Sequence, residues 1–202
     1  MIGVIDYGVG NLGSILNMYR KLGVPAATVG DPQALLAADR LVLPGIGAFD
    51  ACVTRLRDSG LEAPLREAVT TRGVPLLGIC VGMQMLTAGS EEGTLPGLGF
   101  FPARTVRFKP ASADLKVPHM GWNEVRWQAA DPLVAGLEDQ ARFYFVHSYY
   151  VMCDQPADQL GTATYGNDFA AAIRRGRLYG VQFHPEKSHR FGLRLLDNFA
   201  RS

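Results

Sequence analysis

The fold of this chain is decided by one stretch, VPLLGICVGMQ, at residues 74–84. Val74 to Ile79 carries no charged or polar side chain, which is typical of a central parallel strand covered by helices on both faces. Gly78 and Gly82 frame Cys80 where this strand should hand over to a helix, which is the pattern of a nucleophile elbow. The stretch therefore predicts an α/β sheet with a nucleophile at the end of one strand.

Short apolar runs alternate with helix-length segments before that stretch. The runs are Ile2 to Ile5, Ala26 to Val29 and Arg40 to Leu43, and between the first two an apolar stripe recurs at steps of three and four from Leu12 to Leu22. Such alternation predicts a central, mostly parallel sheet flanked by helices.

The second half has a different texture, with Gly- and Pro-containing loops after Ser90. Strand-like runs follow at Thr105 to Phe108, Arg142 to Val146, Gly161 to Tyr165 and Leu178 to Phe183. We expect antiparallel pairs here, and a closing amphipathic helix that carries Leu195, Leu196 and Phe199. No repeat or linker interrupts the 202 residues, so we expect one domain over residues 1–202.

Composition excludes several classes of protein. Twenty Lys and Arg against nineteen Asp and Glu leave a net charge of +1, so no overall field recruits nucleic acid or anionic lipid. No apolar run approaches the roughly 20 residues of a membrane span. Three cysteines without paired spacing predict neither a disulfide framework nor a metal site. We therefore expect a soluble, unprocessed cytoplasmic protein without a cofactor.

The position of Cys80 predicts a reactive thiol. The N-terminus of a helix offers unpaired N–H groups and a positive dipole end, and both stabilise a thiolate, the form that attacks carbonyl carbon. A free cysteine is also commonly a small buried apolar residue, and we assign Cys52 and Cys153 to that role because no glycines frame them.

His184 and Glu186 are the candidate base and its orienting carboxylate. They follow the Leu178 to Phe183 run, and extended geometry would send residues two apart to the same side. Pro185 biases His184 towards an extended conformation. A histidine held by a carboxylate can take the cysteine proton and deliver it to a leaving amine. His147 also follows a strand and is the rival base.

Acyl transfer also needs N–H groups aimed at the developing oxyanion. The backbone N–H of Val81 is one candidate, and the Pro44-Gly45-Ile46-Gly47 turn could supply another, since its glycines allow close approach of backbone. Taken without the cysteine, this turn is more typical of an ordinary strand-to-helix connection, which is common in α/β proteins.

The segments at 44–47, 78–84 and 184–186, in this order, resemble class I glutamine amidotransferases. The segments DYGVGN at 6–11, PHMGWN at 118–123 and FYFVHSY at 143–149 are similar, more narrowly, to the glutaminase subunits of imidazole glycerol phosphate synthases. The resemblance covers essentially the whole chain. Val81 and Ile46 stand where a leucine and a valine are more usual, a mild departure because both positions act through their backbone.

The resemblance implies a role for each of these positions. Cys80 would form a glutamyl thioester, His184 and Glu186 would complete the triad, and the Gly45–Ile46 peptide would reorient to supply an oxyanion donor. L-glutamine would be held by Gln84, Glu92, Ser148 and Tyr149, where the carboxylate of Glu92 suits the α-ammonium group. Contact with a (β/α)8-barrel cyclase would involve Asn11, Met120, Trp122, Tyr144 and Lys187.

A glutaminase used for synthesis needs an acceptor for its ammonia. The sequence has no phosphate-binding loop of the Gly-x-x-x-x-Gly-Lys type and no basic cluster, so the acceptor should belong to a partner chain. In the resembled enzymes the partner forms imidazole glycerol phosphate and a carboxamide ribotide, within histidine biosynthesis.

Other functions remain open on sequence alone. Residues 8–13 spell Gly-x-Gly-x-x-Gly after the first strand, and Asp31 follows at a distance typical of dinucleotide-binding oxidoreductases. The chain could also be an inactive scaffold for the barrel, a stand-alone glutaminase, or an amidotransferase subunit of another synthase.

Overall fold

The computed structural model describes residues 1–110, 115–137 and 141–202. The strands of this part of the chain are β1 (Ile2–Ile5), β2 (Ala26–Val29), β3 (Arg40–Gly45), β4 (Leu76–Cys80), β5 (Ala103–Arg107), β6 (His119–Glu124), β7 (Arg126–Trp127), β8 (Arg142–His147), β9 (Tyr149–Cys153), β10 (Gln159–Tyr165), β11 (Asn167–Arg175) and β12 (Leu178–Val181). Its α-helices are α1 (Leu12–Lys21), α2 (Pro32–Leu36), α3 (Phe49–Asp58), α4 (Glu62–Arg66), α5 (Val81–Met85) and α6 (His189–Arg201). A π-helical turn, Glu67–Thr71, continues α4, and short 3-10 turns lie at Pro132–Val134, Pro156–Asp158 and Pro185–Lys187.

The main sheet runs in the order β2-β1-β3-β4-β12-β11-β10-β7. Neighbours from β2 to β12 are parallel, and those from β12 to β7 are antiparallel. Strand β9 joins β11 and carries β5, while β6 and β8 form a separate antiparallel pair. This arrangement confirms the predicted α/β fold, with a mostly parallel centre and an antiparallel second half.

Helices cover the parallel strands as the apolar stripes predicted. Ile15, Met18 and Tyr19 of α1 are buried, and α1 packs beside α6, whose Leu195 and Leu196 are completely buried. No helix within the described ranges has the length and apolar character that a membrane crossing requires.

The C-terminal ends of two predicted strands were wrong by about two residues. Strand β3 continues to Gly45, because it pairs with β4 as far as Cys80. Strand β12 ends at Val181 rather than Phe183. Beyond it the chain turns away from the main sheet, and the backbone N–H of His184 donates to the carbonyl of Tyr144 in β8 (2.9 Å). The last residues before the candidate base therefore bridge the two sheets.

Candidate active site

Cys80 is the last residue of β4 and directly precedes α5. Its backbone has φ 56° and ψ −113°, a conformation that non-glycine residues adopt at a cost of about 1–3 kcal/mol. The residue is only 4% exposed. Such a strained strand-to-helix corner is the geometry of a nucleophile elbow, so the sequence located the turn correctly.

The two glycines around Cys80 are required by packing and not by the conformation of the turn. Neither Gly78 nor Gly82 has a positive φ, so the sharp turn is made by Cys80 itself. A Cβ on Gly78 would lie 2.7 Å from the carbonyl oxygen of Gly82, and one on Gly82 would overlap the carbonyl oxygen of Leu43. The glycines are therefore required because α5 begins in contact with β3 and β4.

His184 and Glu186 lie together, as predicted, but for another reason. The Nδ1–H group of His184 donates to Oε1 of Glu186 (2.8 Å), and both side chains are less than 5% exposed. Glu186 belongs to the 3-10 turn Pro185–Lys187, so an extended strand does not bring the pair together. Instead, the tight turn after the extended His184 folds the carboxylate back onto the imidazole.

The surroundings of His184 favour its protonated form. Burial of the ring lowers its pKa, but hydrogen bonds to Cys80 and Glu186, with the negative charge on each partner, outweigh burial and raise the pKa to about 10. At neutral pH the ring is therefore an imidazolium, which lies between Cys80 and Glu186. An imidazolium in this position can donate a proton to a leaving group.

A cavity of about 460 Å³ opens above Cys80. It gathers most of the predicted site residues at its wall, namely Ile46, Cys80, Val81, Gln84, Glu92, Ser148, Tyr149, His184 and Lys187. Glu186 lies behind His184, and Gly45 lies opposite Cys80 in the register of β3 and β4. The structure thus brings the proposed triad, oxyanion and substrate residues to one place.

The candidate oxyanion segment, residues 44–47, is held by two side chains that the sequence analysis did not assign to the site. The hydroxyl of Tyr7 donates to the carbonyl of Pro44 (2.5 Å), and Sγ of Cys52 donates to the carbonyl of Ile46 (3.2 Å). A Cβ on Gly45 would overlap the backbone nitrogen of Gly82. Cys52 is completely buried, as its assignment to packing implies, but it also restrains the peptide after Ile46.

Two of the predicted glutamine-binding residues already have partners inside the protein. Oε2 of Glu92 accepts a hydrogen bond from the backbone N–H of Phe49 (2.9 Å), the first residue of α3. Nε2 of Gln84 donates to the carbonyl of Tyr149 (3.2 Å) and to Oε1 of Gln182 (3.1 Å). These contacts fix both side chains at the cavity before any ligand is present.

His147, the rival base, has both ring nitrogens in contact with partners. Nδ1 lies 2.7 Å from the carbonyl of Tyr149, and Nε2 lies 3.0 Å from Nδ1 of His119. Burial lowers the pKa of His147 to about 3, although the Tyr149 carbonyl opposes this change. Since the ring is neutral and both nitrogens are engaged, the geometry favours His184 as the base.

Sequence reasoning missed Gln182. Its side chain is completely buried, and its Nε2 lies 3.7 Å from Sγ of Cys80. A signal was available, because Gln182 is a polar residue two positions before His184 at the end of an apolar run.

Four of the five predicted interface residues form one exposed face on β6, β8 and the turn after β12. Met120 and Trp122 are 61% and 43% exposed, and Trp122 lies opposite Tyr144 in the register of β6 and β8. The ammonium group of Lys187 lies 5.7 Å from the centre of the Tyr144 ring. The fifth residue, Asn11, is exposed and caps α1, accepting a hydrogen bond from the N–H of Ser14 (3.4 Å).

The glycine-rich loop at residues 8–13 differs from a dinucleotide-binding turn. Gly10 faces the ring of Pro44, so the loop packs on the oxyanion segment, and no atom lies within 4 Å of a Cβ placed on Gly13. The carboxylate of Asp31 accepts a hydrogen bond from Ala34 (2.9 Å) and caps α2. The Gly-x-Gly-x-x-Gly pattern and Asp31 therefore serve packing and helix capping in this fold.

An elbow cysteine, a histidine–carboxylate pair and a cavity on this fold define a cysteine amidotransferase. The model of the glutamine amidotransferase class-I family matches residues 3–202. Two solved glutamine amidotransferases share the fold: one at TM-score 0.72 and 22% identity, covering 100% of this chain and 99% of its own; and one from Thermotoga maritima at TM-score 0.67 and 20% identity, covering 99% and 82%. The chain belongs to the class-I glutamine amidotransferases, and within them to the HisH subunits of imidazole glycerol phosphate synthases.

Membership among the HisH subunits rests on relatives that match over their full length. Imidazole glycerol phosphate synthase subunit HisH 2 of Methanococcus maripaludis is 50% identical over 201 residues, which cover 100% of this chain and 99% of the relative. The protein of the same name from Pseudomonas aeruginosa is 49% identical over 199 residues and 98% of both chains.

Proposed function

We propose that this chain hydrolyses L-glutamine to L-glutamate through a thioester on Cys80 and channels the ammonia to a (β/α)8-barrel cyclase. The cyclase would use the ammonia to form imidazole glycerol phosphate and a carboxamide ribotide in histidine biosynthesis. One observation carries the proposal, namely the hydrogen-bonded series Cys80, His184 and Glu186 at the floor of a cavity. Family membership supports the same reaction.

In the first half of the reaction, the Cys80 thiolate attacks the carboxamide carbon of glutamine. The C–N bond then breaks, the imidazolium of His184 gives its proton to the departing nitrogen, and ammonia leaves a glutamyl thioester. Glu186 holds the ring through Nδ1, so that Nε2 faces the reacting atoms. The raised pKa of His184 suits this step, since the ring is a cation and a general acid at neutral pH.

In the second half, the neutral His184 takes a proton from water, and the hydroxide attacks the thioester carbonyl. The thiolate of Cys80 leaves, glutamate is released, and the imidazolium is restored. The oxyanion of both tetrahedral intermediates would be bound by the N–H of Val81 and by the Gly45–Ile46 peptide. Loss of one such donor typically lowers the rate about a hundred- to a thousandfold.

The cavity wall suits the polar ends of glutamine. The carboxylate of Glu92 can pair with the α-ammonium group. Ser148 and Tyr149, which also line the cavity, can bind the α-carboxylate through backbone and hydroxyl groups. Because Glu92 and Gln84 are held by contacts inside the protein, the substrate pays little to order them.

The exposed face of Met120, Trp122, Tyr144 and Lys187 is the proposed contact with the cyclase, together with Asn11. Its aromatic residues and its methionine are of the types enriched at protein interfaces. Lys187 both lines the cavity and borders this face, so a bound partner would close the cavity on that side. A closed route matters because ammonia that reaches neutral water is protonated and lost as a nucleophile.

The deciding experiment compares glutamate release by wild type and Cys80→Ala, each alone and with a barrel cyclase carrying its nucleotide. We expect weak activity alone, strong stimulation by the loaded cyclase, and no activity in the variant. Equal rates in the two proteins would overturn the cysteine mechanism. Cys80-dependent release that ignores the cyclase would keep the glutaminase and reject this partner.

A further inference from the structure

Gln182 is a completely buried amide beside the buried side chains of Gln84 and Cys80. An amide without hydrogen bonds costs about 1–3 kcal/mol to bury in a protein, so each end of such a side chain requires a partner. Oε1 of Gln182 accepts from Gln84, and Nε2 donates to Sγ of Cys80.

A backbone carbonyl fixes the orientation of this amide. The carbonyl of Tyr149 can only accept, so the end of Gln84 that faces it must be the NH₂ group. The second N–H of the same group points at Gln182, which must therefore present its oxygen there. It follows that the NH₂ group of Gln182, and not its oxygen, faces the sulfur.

The Tyr149 carbonyl is itself held from the other side. His147 Nδ1 lies 2.7 Å from it, and His147 Nε2 is bound by His119, which lies next to Met120 in β6. Both rings are neutral, because burial lowers the pKa of each to 4 or below. His147 donates through Nδ1 to the Tyr149 carbonyl, so its neutral ring must accept through Nε2. His119 must therefore donate to His147 through Nδ1, and the donor of each hydrogen bond is fixed.

We infer that Gln182 is a further catalytic residue, which donates a hydrogen bond to the Cys80 sulfur and stabilises it as thiolate and as leaving group, in an orientation imposed through Gln84 and the Tyr149 carbonyl. The inference deepens the proposed function and rests on it. When the thioester forms, the sulfur loses its negative charge and the hydrogen bond weakens. When water displaces the sulfur, the charge returns and the Gln182 N–H binds it again, alongside the His184 imidazolium.

The test is the rate at which iodoacetamide alkylates Cys80 in the full-length chain without glutamine, followed by mass spectrometry of the peptide that contains it. This rate reports thiolate directly and does not require that the chain be a glutaminase. Gln182→Met keeps the length of the side chain and removes the donor. We expect a three- to tenfold slower reaction, about the effect of one hydrogen bond to an anion, partly offset by the higher nucleophilicity of a more basic thiolate.

Thr105→Val is the matched control, since Thr105 is also completely buried and its hydroxyl has that of Thr87 as its partner, 3.5 Å away. Its alkylation rate should equal that of wild type. Gln84→Met frees the Gln182 amide to rotate and should slow alkylation by a smaller factor, which also serves if Gln182→Met fails to fold. Unchanged rates in both glutamine variants, or an equal decrease in Thr105→Val, would overturn the role of Gln182. Failure of the proposed function is separate, since it would appear as Cys80-independent glutamate release.

Discussion

Nδ1 of His184 lies 2.8 Å from Oε1 of Glu186. One residue separates the two in the chain, and the 3-10 turn that contains Glu186 brings its carboxylate to the imidazole. Both side chains are less than 5% exposed, and Pro185 between the partners limits their relative motion. The contact fixes which imidazole nitrogen faces Cys80, and in the proposed mechanism it prepares the acid for the departing nitrogen.

The first prediction concerns the protonation of His184. In the wild type the ring should remain an imidazolium until about pH 10, because Cys80 and Glu186 stabilise its charge against burial. In Cys80→Ala burial still opposes the charge and only Glu186 supports it, so the ring should lose its proton at a lower pH. Imidazole ¹⁵N chemical shifts followed against pH measure the pKa of His184 in the wild type and in Cys80→Ala. Identical titration midpoints would contradict the coupling between sulfur and imidazole, and Thr105→Val should titrate as wild type.

The second prediction is acid sensitivity caused by the neutral histidine pair. Burial lowers the pKa of His119 to about 4 and that of His147 to about 3, while an exposed histidine has a pKa near 6.5. Below pH 6.5 these two imidazoles therefore bind protons in the unfolded chain but stay neutral in the folded chain. The free energy of unfolding should fall as the pH drops from 6.5 towards 4, and this contribution is fully present only above 6.5.

Urea unfolding at several pH values measures that slope, and His119→Gln is the informative variant. Removing one titrating ring should flatten the slope by about 1 kcal/mol per pH unit within the window. Parallel curves for the two proteins would mean that His119 is not held neutral.

The third prediction compares two glycines. A Cβ on Gly45 would overlap the backbone of Gly82, so Gly45→Ala should lower the free energy of unfolding by about 1–3 kcal/mol and reduce glutamate release. Gly13 lies in α1 with open space around a Cβ, so Gly13→Ala should stabilise the protein by about 0.4–1 kcal/mol. Denaturant titrations decide, and equal effects at both positions would reject the close contact between β3 and α5.

The fourth prediction tests the proposed partner face. Trp122 is 43% exposed and stacks on His189, with ring centres 5.4 Å apart, so its indole is held ready for contact. Trp122→Ala should weaken binding of the cyclase by about 2 kcal/mol, which is roughly thirtyfold in Kd. Met152 is 51% exposed on β9, outside this face, and Met152→Ala should leave the affinity unchanged. Isothermal titration calorimetry measures both, and equal losses would place the contact elsewhere.

Local patterns were sufficient for the parallel half of the fold. The apolar run that ends at Cys80 and the stripe of α1 concern neighbours in sequence, and strand period or helix period alone predicts which side is buried. The same patterns misplaced the end of β12, because the chain leaves that strand to form a hydrogen bond between His184 and Tyr144, about 40 residues apart. No local pattern contains such a contact.

By itself, the sequence determined the sheet class, the elbow at Cys80, and the His184–Glu186 candidates, since all three depend on residues within a few positions of one another. Only the tertiary structure decided that Gln182 donates to Cys80, that Cys52 and Tyr7 hold the oxyanion segment, and that His147 is neutral. The reason is physical. Burial, charge and the direction of a hydrogen bond depend on which distant segments are packed together, and the chain must fold before those neighbours exist.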